Sequence, residues 1–317
     1  MAITSIKTTG GFSTNTVTQA YDLYFRWQLK AMPLCRQFVD VRPQNPTHRG
    51  DSVTLQMNQY FSKADVLAAT TPLDEETDVT PRQLPATTKI TLTPQEYGDA
   101  VVRTIKLVNR TMVPVDPVIG KAVGAHCGDV IDYLVQNALR SGTQVYRAAS
   151  RASTATVAAG DTLTANMIRL SKTKLENNSV LPRDGQFYVG LVHPNVVFDL
   201  RTETGSGSWR VPQEYGSSQN RIYTGEIGEF EGVRFIKSST LLRDTDNDGA
   251  SAAKVYRSFI LGQEALAEAV VTEPHTVLSP VTDKLRRFQG VGWYGDLAFA
   301  KYRDEALVRL ESASAAS

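Results

Sequence analysis

Three aspartates in alternation, Asp244, Asp246 and Asp248, followed by Gly249, are the residues whose types and spacing most suggest chemistry. Oxygen donors at every second position, with a glycine at the sharp turn, make up the opening half of an EF-hand calcium loop. The closing ligand is missing, since the twelfth position is Val255 rather than glutamate. The flanks, Val233 to Ile236 and Lys254 to Ile260, also read as strands where an EF-hand needs helices. The segment is therefore a weak candidate calcium loop, set against an acidic turn joining two strands.

Other chemistry finds less support. The phosphate-loop pattern GxxxxGK followed by Ser or Thr is absent, as are GxSxG, HExxH and a paired CxxC. The histidines His48, His126, His193 and His275 lie in no motif that would bring one to a nucleophile. His193, directly before Pro194, suits a helix cap better than a ligand. Cys35 and Cys127 offer neither a disulfide framework nor zinc spacing. No catalytic residue and no cofactor is expected, and the chain reads as a non-enzyme.

The elements around these residues are more informative. Asp51 to Phe61 alternates Val53, Leu55 and Met57 with Thr54, Gln56 and Asn58, and Thr87 to Thr93 carries Ile90 and Leu92 on one face. Both read as half-buried partner strands. The connector between them, Ser62 to Ala86, carries Asp65, Asp74, Glu75, Glu76 and Asp78 against Lys63 and Arg82, and Pro72, Pro81 and Pro85 discourage helix and ladder alike. Connections in compact domains usually run to about 4 to 6 residues, so this long excursion means a wrong assignment, disorder or a loop stabilised from outside the subunit, and the last is favoured over disorder. Val53, Leu55, Met57, Ile90 and Leu92 are the candidate inter-subunit contacts.

Residues 1 to 18 form a polar arm with little to bury, and a short amphipathic helix follows, capped by Thr18 and carrying Tyr21, Phe25, Leu29 and Met32. Glu96 to Asn109 reads as strand turning to helix. The clearest element is a long helix with Asp116 as N-cap, Pro117 at its first position, and Ile119, Val123, Cys127, Val130, Leu134 and Ala138 on one face, stopped by Gly142. Its length is roughly 38 Å. Gly120, Gly124 and Gly128 recur along it, which suits close packing of another backbone or a solvated face with tolerated glycines. Residues 147 to 160 are a small-residue connector between lobes. A helix near Thr164 to Asn177, a strand Phe187 to Val192 entering a helix at Asn195, strands at Val233, Val255 and Ala267, one or two long strands from Arg287 to Leu310, and a loose tail from Ser312 complete the chain. One α/β crossover fits this order, but it does not repeat into a doubly wound sheet.

At 317 residues, two lobes or one domain with projections are the natural priors. Lys and Arg number 34 against 33 Asp and Glu, which argues against a strongly basic nucleic-acid binder and leaves only local contact with DNA. Met1 to Thr9 lacks a signal-peptide core, and no stretch approaches the roughly 18 to 20 apolar residues that cross a bilayer, so a soluble protein with no membrane partner is expected.

The run His193-Pro-Asn-Val-Val-Phe-Asp199-Leu-Arg201, followed by Gly225-Glu-Ile-Gly-Glu-Phe-Glu-Gly-Val-Arg-Phe-Ile236, resembles the major capsid proteins of tailed bacteriophages, particularly the subfamily named for coliphage N-four. Glu96-Tyr97-Gly98 after the long connector is similar too. The resemblance implies the α+β Hong Kong 97 capsid fold. Residues 1–47 would be the N-terminal arm, 48–93 the extended loop, 94–159 with 286–317 the peripheral domain with its spine helix at 116–141, and 160–285 the axial domain. It further implies a homo-oligomer of hexamers and pentamers enclosing double-stranded DNA, made in the bacterial host cytoplasm and resident in the virion. A portal protein, non-specific DNA contact, and separate scaffold and decoration proteins would be its partners. Some relatives cross-link through a loop lysine, a role Lys63 would take, although no partner asparagine is evident. The alternatives are an encapsulin-like compartment holding protein cargo and a calcium-dependent protein built on Asp244 to Asp248.

Overall fold

Strand-forming and helix-forming stretches alternate along the chain without repeating, and the result is a two-stranded hairpin and two larger sheets, the larger two bridged by one helix. The computed structural model describes residues 34–42, 52–58, 61, 63–70, 72, 75–76, 78, 81–110, 115–203, 226–243, 245–279, 283–285 and 287–316. In chain order the elements are β1 (Val53–Met57), α1 (Lys63–Ala68), β2 (Thr88–Leu92), β3 (Gln95–Thr104), α2 (Ile105–Arg110), α3 (Val115–Arg140), β4 (Val145–Arg147), α4 (Ala165–Asn177), β5 (Tyr188–Val192), α5 (Pro194–Thr202), β6 (Glu226–Phe230), β7 (Val233–Lys237), β8 (Tyr256–Leu261), β9 (Leu266–Leu278), β10 (Phe288–Lys301) and β11 (Leu307–Ser312). The expected arm helix at Thr18 to Met32 lies outside the described residues, as does Asp51.

The partner strands pair as their alternation requires: β1 and β2 are antiparallel, with Val53 opposite Leu92 and Leu55 opposite Ile90. The connector is not wholly structureless, because Lys63–Ala68 forms a short helix before the prolines begin. β3, β10 and β9 form a three-stranded antiparallel sheet in that order. The remaining strands form a six-stranded mixed sheet, β4-β11-β8-β5-β7-β6. Within it β5 and β7 run parallel, with α5 and β6 in the chain between them, and β4 and β11 form a second parallel pair. Pro194 opens α5 without losing a needed hydrogen bond, and the His193 Nδ1 accepts from the Asn195 N–H at 3.2 Å, capping the helix.

Helix α3 joins the two sheets. Its buried line is Ile119, Val123, Cys127, Ile131, Val135 and Leu139, a strict four-residue repeat. Rows of that spacing wind around the helix rather than run along it, so the line faces different neighbours at its two ends. Ile119 to Ile131 pack with Val291 and Trp293 of β10, whereas Val135 and Leu139 enter the main core beside the six-stranded sheet. The expected face therefore drifts: Val130 and Leu134 are only half-buried, and Ile131, Val135 and Leu139 take their places. Gly120, Gly124 and Gly128 are buried beside this line, which favours close backbone packing over a solvated face. Asp116 lies inside the first turn rather than at the cap, where it pairs with Arg103 of β3. Gly142 is required by packing, since a Cβ there would sit 2.8 Å from the Leu307 side chain.

Gly290, Gly292 and Gly295 have GxGxxG spacing, but all lie within β10 and not at a strand-to-helix turn, so no phosphate cradle forms. Three expectations change. The tail is tied down: Ser312, Ala313 and Ser314 are buried, Ala313 N–H donates to the Asp161 carbonyl and Ala315 N–H to the Asp199 Oδ1. Residues 34–42, which the resemblance places in the N-terminal arm, dock on the body of their own chain with Cys35 and Phe38 fully buried. The sheets also cut across the expected division at 285/286: β9 joins β10 and β3, while β11 joins β4 and β8.

Candidate assembly surface

The five apolar residues of β1 and β2 come together, as their alternation requires, but onto their own subunit. Leu92 is 2% exposed and packs with Ala267 and Ala269, and Val53, Leu55 and Ile90 lie partly buried beside it with Ala298, Ala300 and Tyr302. The alanines of β9 and β10 are small enough to let the hairpin approach closely. Met57 and Ile90 line a cleft of about 720 Å³ with Tyr97, Leu134, Phe299 and Tyr302. The expected inter-subunit role is thereby corrected for Leu92, which its own chain covers. Val53, Leu55, Met57 and Ile90 keep a partly exposed surface.

Exposed apolar side chains gather elsewhere. On the projection they are Phe61, Val66, Leu67 and Leu84, the last 82% exposed. At the far end of the three-stranded sheet they are Val101, Val102, Ile105, Leu107, Val108, Leu285 and Phe288. Together these are 11 of the 18 exposed large apolar side chains among the described residues. Scattered exposed apolar residues are ordinary, but concentration at two places marks interaction surfaces. β3 adds a second signal: it is an edge strand ten residues long with no fully buried position. The run 101–108 is rich in valine, with Ile105 and Leu107, without a clean period, and that aperiodicity was its only trace in the sequence.

The candidate calcium residues have another occupation. Asp244 lies outside the described residues, but Asp246 is 1% exposed and accepts both Arg140 Nη1 and Nη2 at 2.6 Å, as well as Arg257 Nη1. Asp248 pairs with Arg257 Nη2. Guanidinium groups thus hold the oxygens a calcium ion would need. Burial alone would raise the Asp246 carboxyl, but the Arg140 hydrogen bonds, the Arg243 N–H and the nearby positive charge bring it below the usual range. Glu311 on β11 completes the network, with Arg147 Nε at 2.8 Å and Arg309 Nε at 3.1 Å. These long-range pairs join α3, the six-stranded sheet and the 246–248 turn.

A second ion-pair group anchors the N-terminal segment. Glu268 on β9 is buried and held by Arg36 at 2.6 Å and Arg42 at 3.2 Å, while Asp40 meets Arg183. Here burial dominates and pushes the Glu268 carboxyl up, against the pull of both arginines. Asp132 of α3 accepts the Cys35 N–H at 2.8 Å and the Thr240 hydroxyl at 2.6 Å.

Nothing in these groups assembles reactive chemistry. Burial raises the Cys35 thiol and pushes Cys127 up to about 12, which keeps both protonated. His193 serves as a cap and is stacked on Tyr256. His126 accepts from the Trp293 indole N–H, His275 meets the Tyr294 ring edge-on, and His48 is outside the described residues. Among the described residues no cluster of three or more His, Cys, Asp or Glu is placed to hold a metal, and no helix is long and apolar enough to cross a membrane.

The comparisons with known proteins agree with this geometry. A family model described as phage capsid protein matches residues 121–296, more than half of the chain. The chain belongs to that family. Among solved structures, the capsid asymmetric unit of cyanophage Pam1 superposes with a TM-score of 0.69 at 16% identity, covering 88% of this chain and 89% of that one. The capsid of Ralstonia phage GP4 gives 0.66 at 14% identity, covering 86% of each. The acidic stable capsid of Helicobacter pylori bacteriophage KHP30 gives 0.61 at 13%, covering 83% and 85%. No curated protein matches the chain. The fold is the Hong Kong 97 capsid fold, and the protein is a major capsid protein, the kind of subunit from which an icosahedral phage shell is built.

Proposed function

We propose that this capsid protein assembles as hexamers and pentamers of itself into a head that encloses double-stranded DNA, in the manner of the subfamily named for coliphage N-four. The observation that carries the reading is the concentration of exposed apolar side chains on the projection and at the far end of the three-stranded sheet, in a chain of the capsid family. Residues 94–141 with β9 and β10 serve as the peripheral domain, and the six-stranded sheet with α4 and α5 as the axial domain. The near-zero net charge, +1, supports weak and sequence-independent contact with the packaged genome. The subunit is made in the host cytoplasm and works alongside a portal protein and separate scaffold and decoration proteins. Its role is mechanical, with no catalysis.

Electron microscopy of the purified protein tests the reading. Closed shells built of six-fold and five-fold clusters are expected. A chain that stays a 34.8 kDa monomer at high concentration and with added scaffold overturns it.

A further inference from the structure

Two acids face each other across the ladder that joins β3 to β10: Glu96 stands directly opposite Asp296 in the antiparallel register. Residues so placed have Cβ atoms about 4.5–5.5 Å apart, and like charges there push the strands apart. Both side chains lie on the sheet face turned away from α3, because Trp293, which packs on α3, alternates with Tyr294 and Asp296 along β10. On that face the Tyr294 hydroxyl donates to Glu96, and the His275 ring of β9 meets the Tyr294 ring edge-on. Across β9, Asp296 faces the uncharged Thr272, and the next residue, Glu273, is an acid already held by Arg36. Among the described residues neither Glu96 nor Asp296 meets a Lys or Arg. The Asp296 Oδ1 is buried and has no hydrogen-bond partner. Burial first, and the Glu96 charge second, push the Asp296 carboxyl up.

We infer that Asp296 keeps a proton and donates it to Glu96, so that one shared hydrogen bond ties β3 to β10, and that loss of this proton leaves two ionised acids pressing the strands apart. An ionised carboxylate only accepts, so the unprotonated pair has nothing to exchange, whereas one proton makes Asp296 a donor. Because the folded Asp296 carboxyl is raised, its contribution to stability is complete below about pH 4 and is lost as pH rises through the folded value. The margin of the three-stranded sheet therefore tightens in acid and slackens toward neutrality. β3 pairs only with β10 in this sheet, so the two acids bear on the one ladder that holds it. The device needs no contact between copies, and it stands or falls separately from the shell reading.

Thermal unfolding of the unassembled subunit at pH 4 and pH 7 tests this. Asp296→Asn keeps the shape and supplies a permanent donor, so it should raise the midpoint by about 2 °C at pH 7 and leave it unchanged at pH 4. Glu96→Gln removes the repulsion from the other strand and should give a similar gain at pH 7. The double variant should gain no more than either alone, because each change relieves the same clash. Glu96 is exposed, so its replacement leaves the core intact and keeps the inference falsifiable should Asp296→Asn fold poorly. Equal shifts at both pH values, additive gains, or a loss at pH 7 from Glu96→Gln overturn the shared proton. A rise in the wild-type midpoint with millimolar calcium or magnesium that Asp296→Asn abolishes also overturns it, and makes the pair a cation site instead.

Discussion

Strand β5 is buried at all five positions, whereas β3, twice as long, is buried at none. β5 lies inside the six-stranded sheet with β7 and β8 on either side, and the side chains of Val189, Leu191, Phe235 and Phe259 are 0% exposed. β3 lies at the margin of the three-stranded sheet and leads into a helix exposed at every residue. One region completes its own core. The other leaves apolar side chains that its own chain does not cover, as the proposed assembly requires: a body that folds before assembly and margins left for a partner.

The comparison predicts opposite outcomes for mutations of similar size. Phe235→Ala removes a fully buried ring and should cost about 3–5 kcal/mol, read from denaturant unfolding of the subunit. Asp246→Ala strips Arg140 of its carboxylate partner and Arg257 of one of its partners, Asp248 remaining, and should cost about 3 kcal/mol. Leu107→Asp, on exposed α2, should change subunit stability by no more than about 0.5 kcal/mol yet abolish shells. A subunit destabilised by Leu107→Asp as much as by Phe235→Ala would erase the distinction between the two regions.

The division sharpens with pH, because the buried acids of the two regions titrate in opposite senses. Asp246, in the six-stranded body, has a lowered folded pKa, so its contribution is complete above about pH 4 and is lost as pH falls through the folded value. Glu268, on β9 of the three-stranded sheet, has a raised folded pKa, so its contribution is complete below about pH 4 and is lost as pH rises through the folded value. The cause is local. Asp246 receives paired guanidinium hydrogen bonds and a backbone N–H, while the Glu268 Oε2 lacks a hydrogen-bond donor. Unfolding midpoints measured from pH 3 to 8 should show Asp246→Asn flattening the acid limb and Glu268→Gln flattening the rise side. Both variants altering the same limb would show that the two sites are not differently held.

Much of this organisation was legible in local pattern. The alternation of Val53, Leu55 and Met57 located the hairpin, and the four-residue spacing around Ile119 and Cys127 located α3. His193-Pro194 marked the start of α5. What pattern did not reveal was partnership across long separations. Asp246 looked like a calcium ligand because its neighbours are acidic, but its partner Arg140 lies 106 residues earlier. The hairpin's apolar face looked unfinished because the alanines that cover it, Ala267 and Ala298, are on strands more than 170 residues later. Conversely, the surface at α2 and β3 was overlooked because an exposed apolar strand has no period to betray it. Periodicity reports which side of an element faces a core, and is silent on whose core it is.

The smallest effect belongs to two turns in the self-completing region. Ala149 adopts φ 51, ψ 25 and Ser251 adopts φ 55, ψ 37, left-handed conformations that cost a residue with a Cβ about 1 kcal/mol. Both side chains are exposed, so no packing is lost on their removal. Glycine relieves the strain but adds freedom to the unfolded chain, leaving a net gain of about 0.5 kcal/mol at each position. Ala149→Gly with Ser251→Gly should therefore raise Tm of the subunit by roughly 2 °C, by calorimetry. Because these turns lie away from the projection and from α2, shell yield should not move with it. A fall in Tm would mean that the two turns are held by contacts of the side chains, and a change in shell yield would extend the assembling surface into the region that β5 defines as closed.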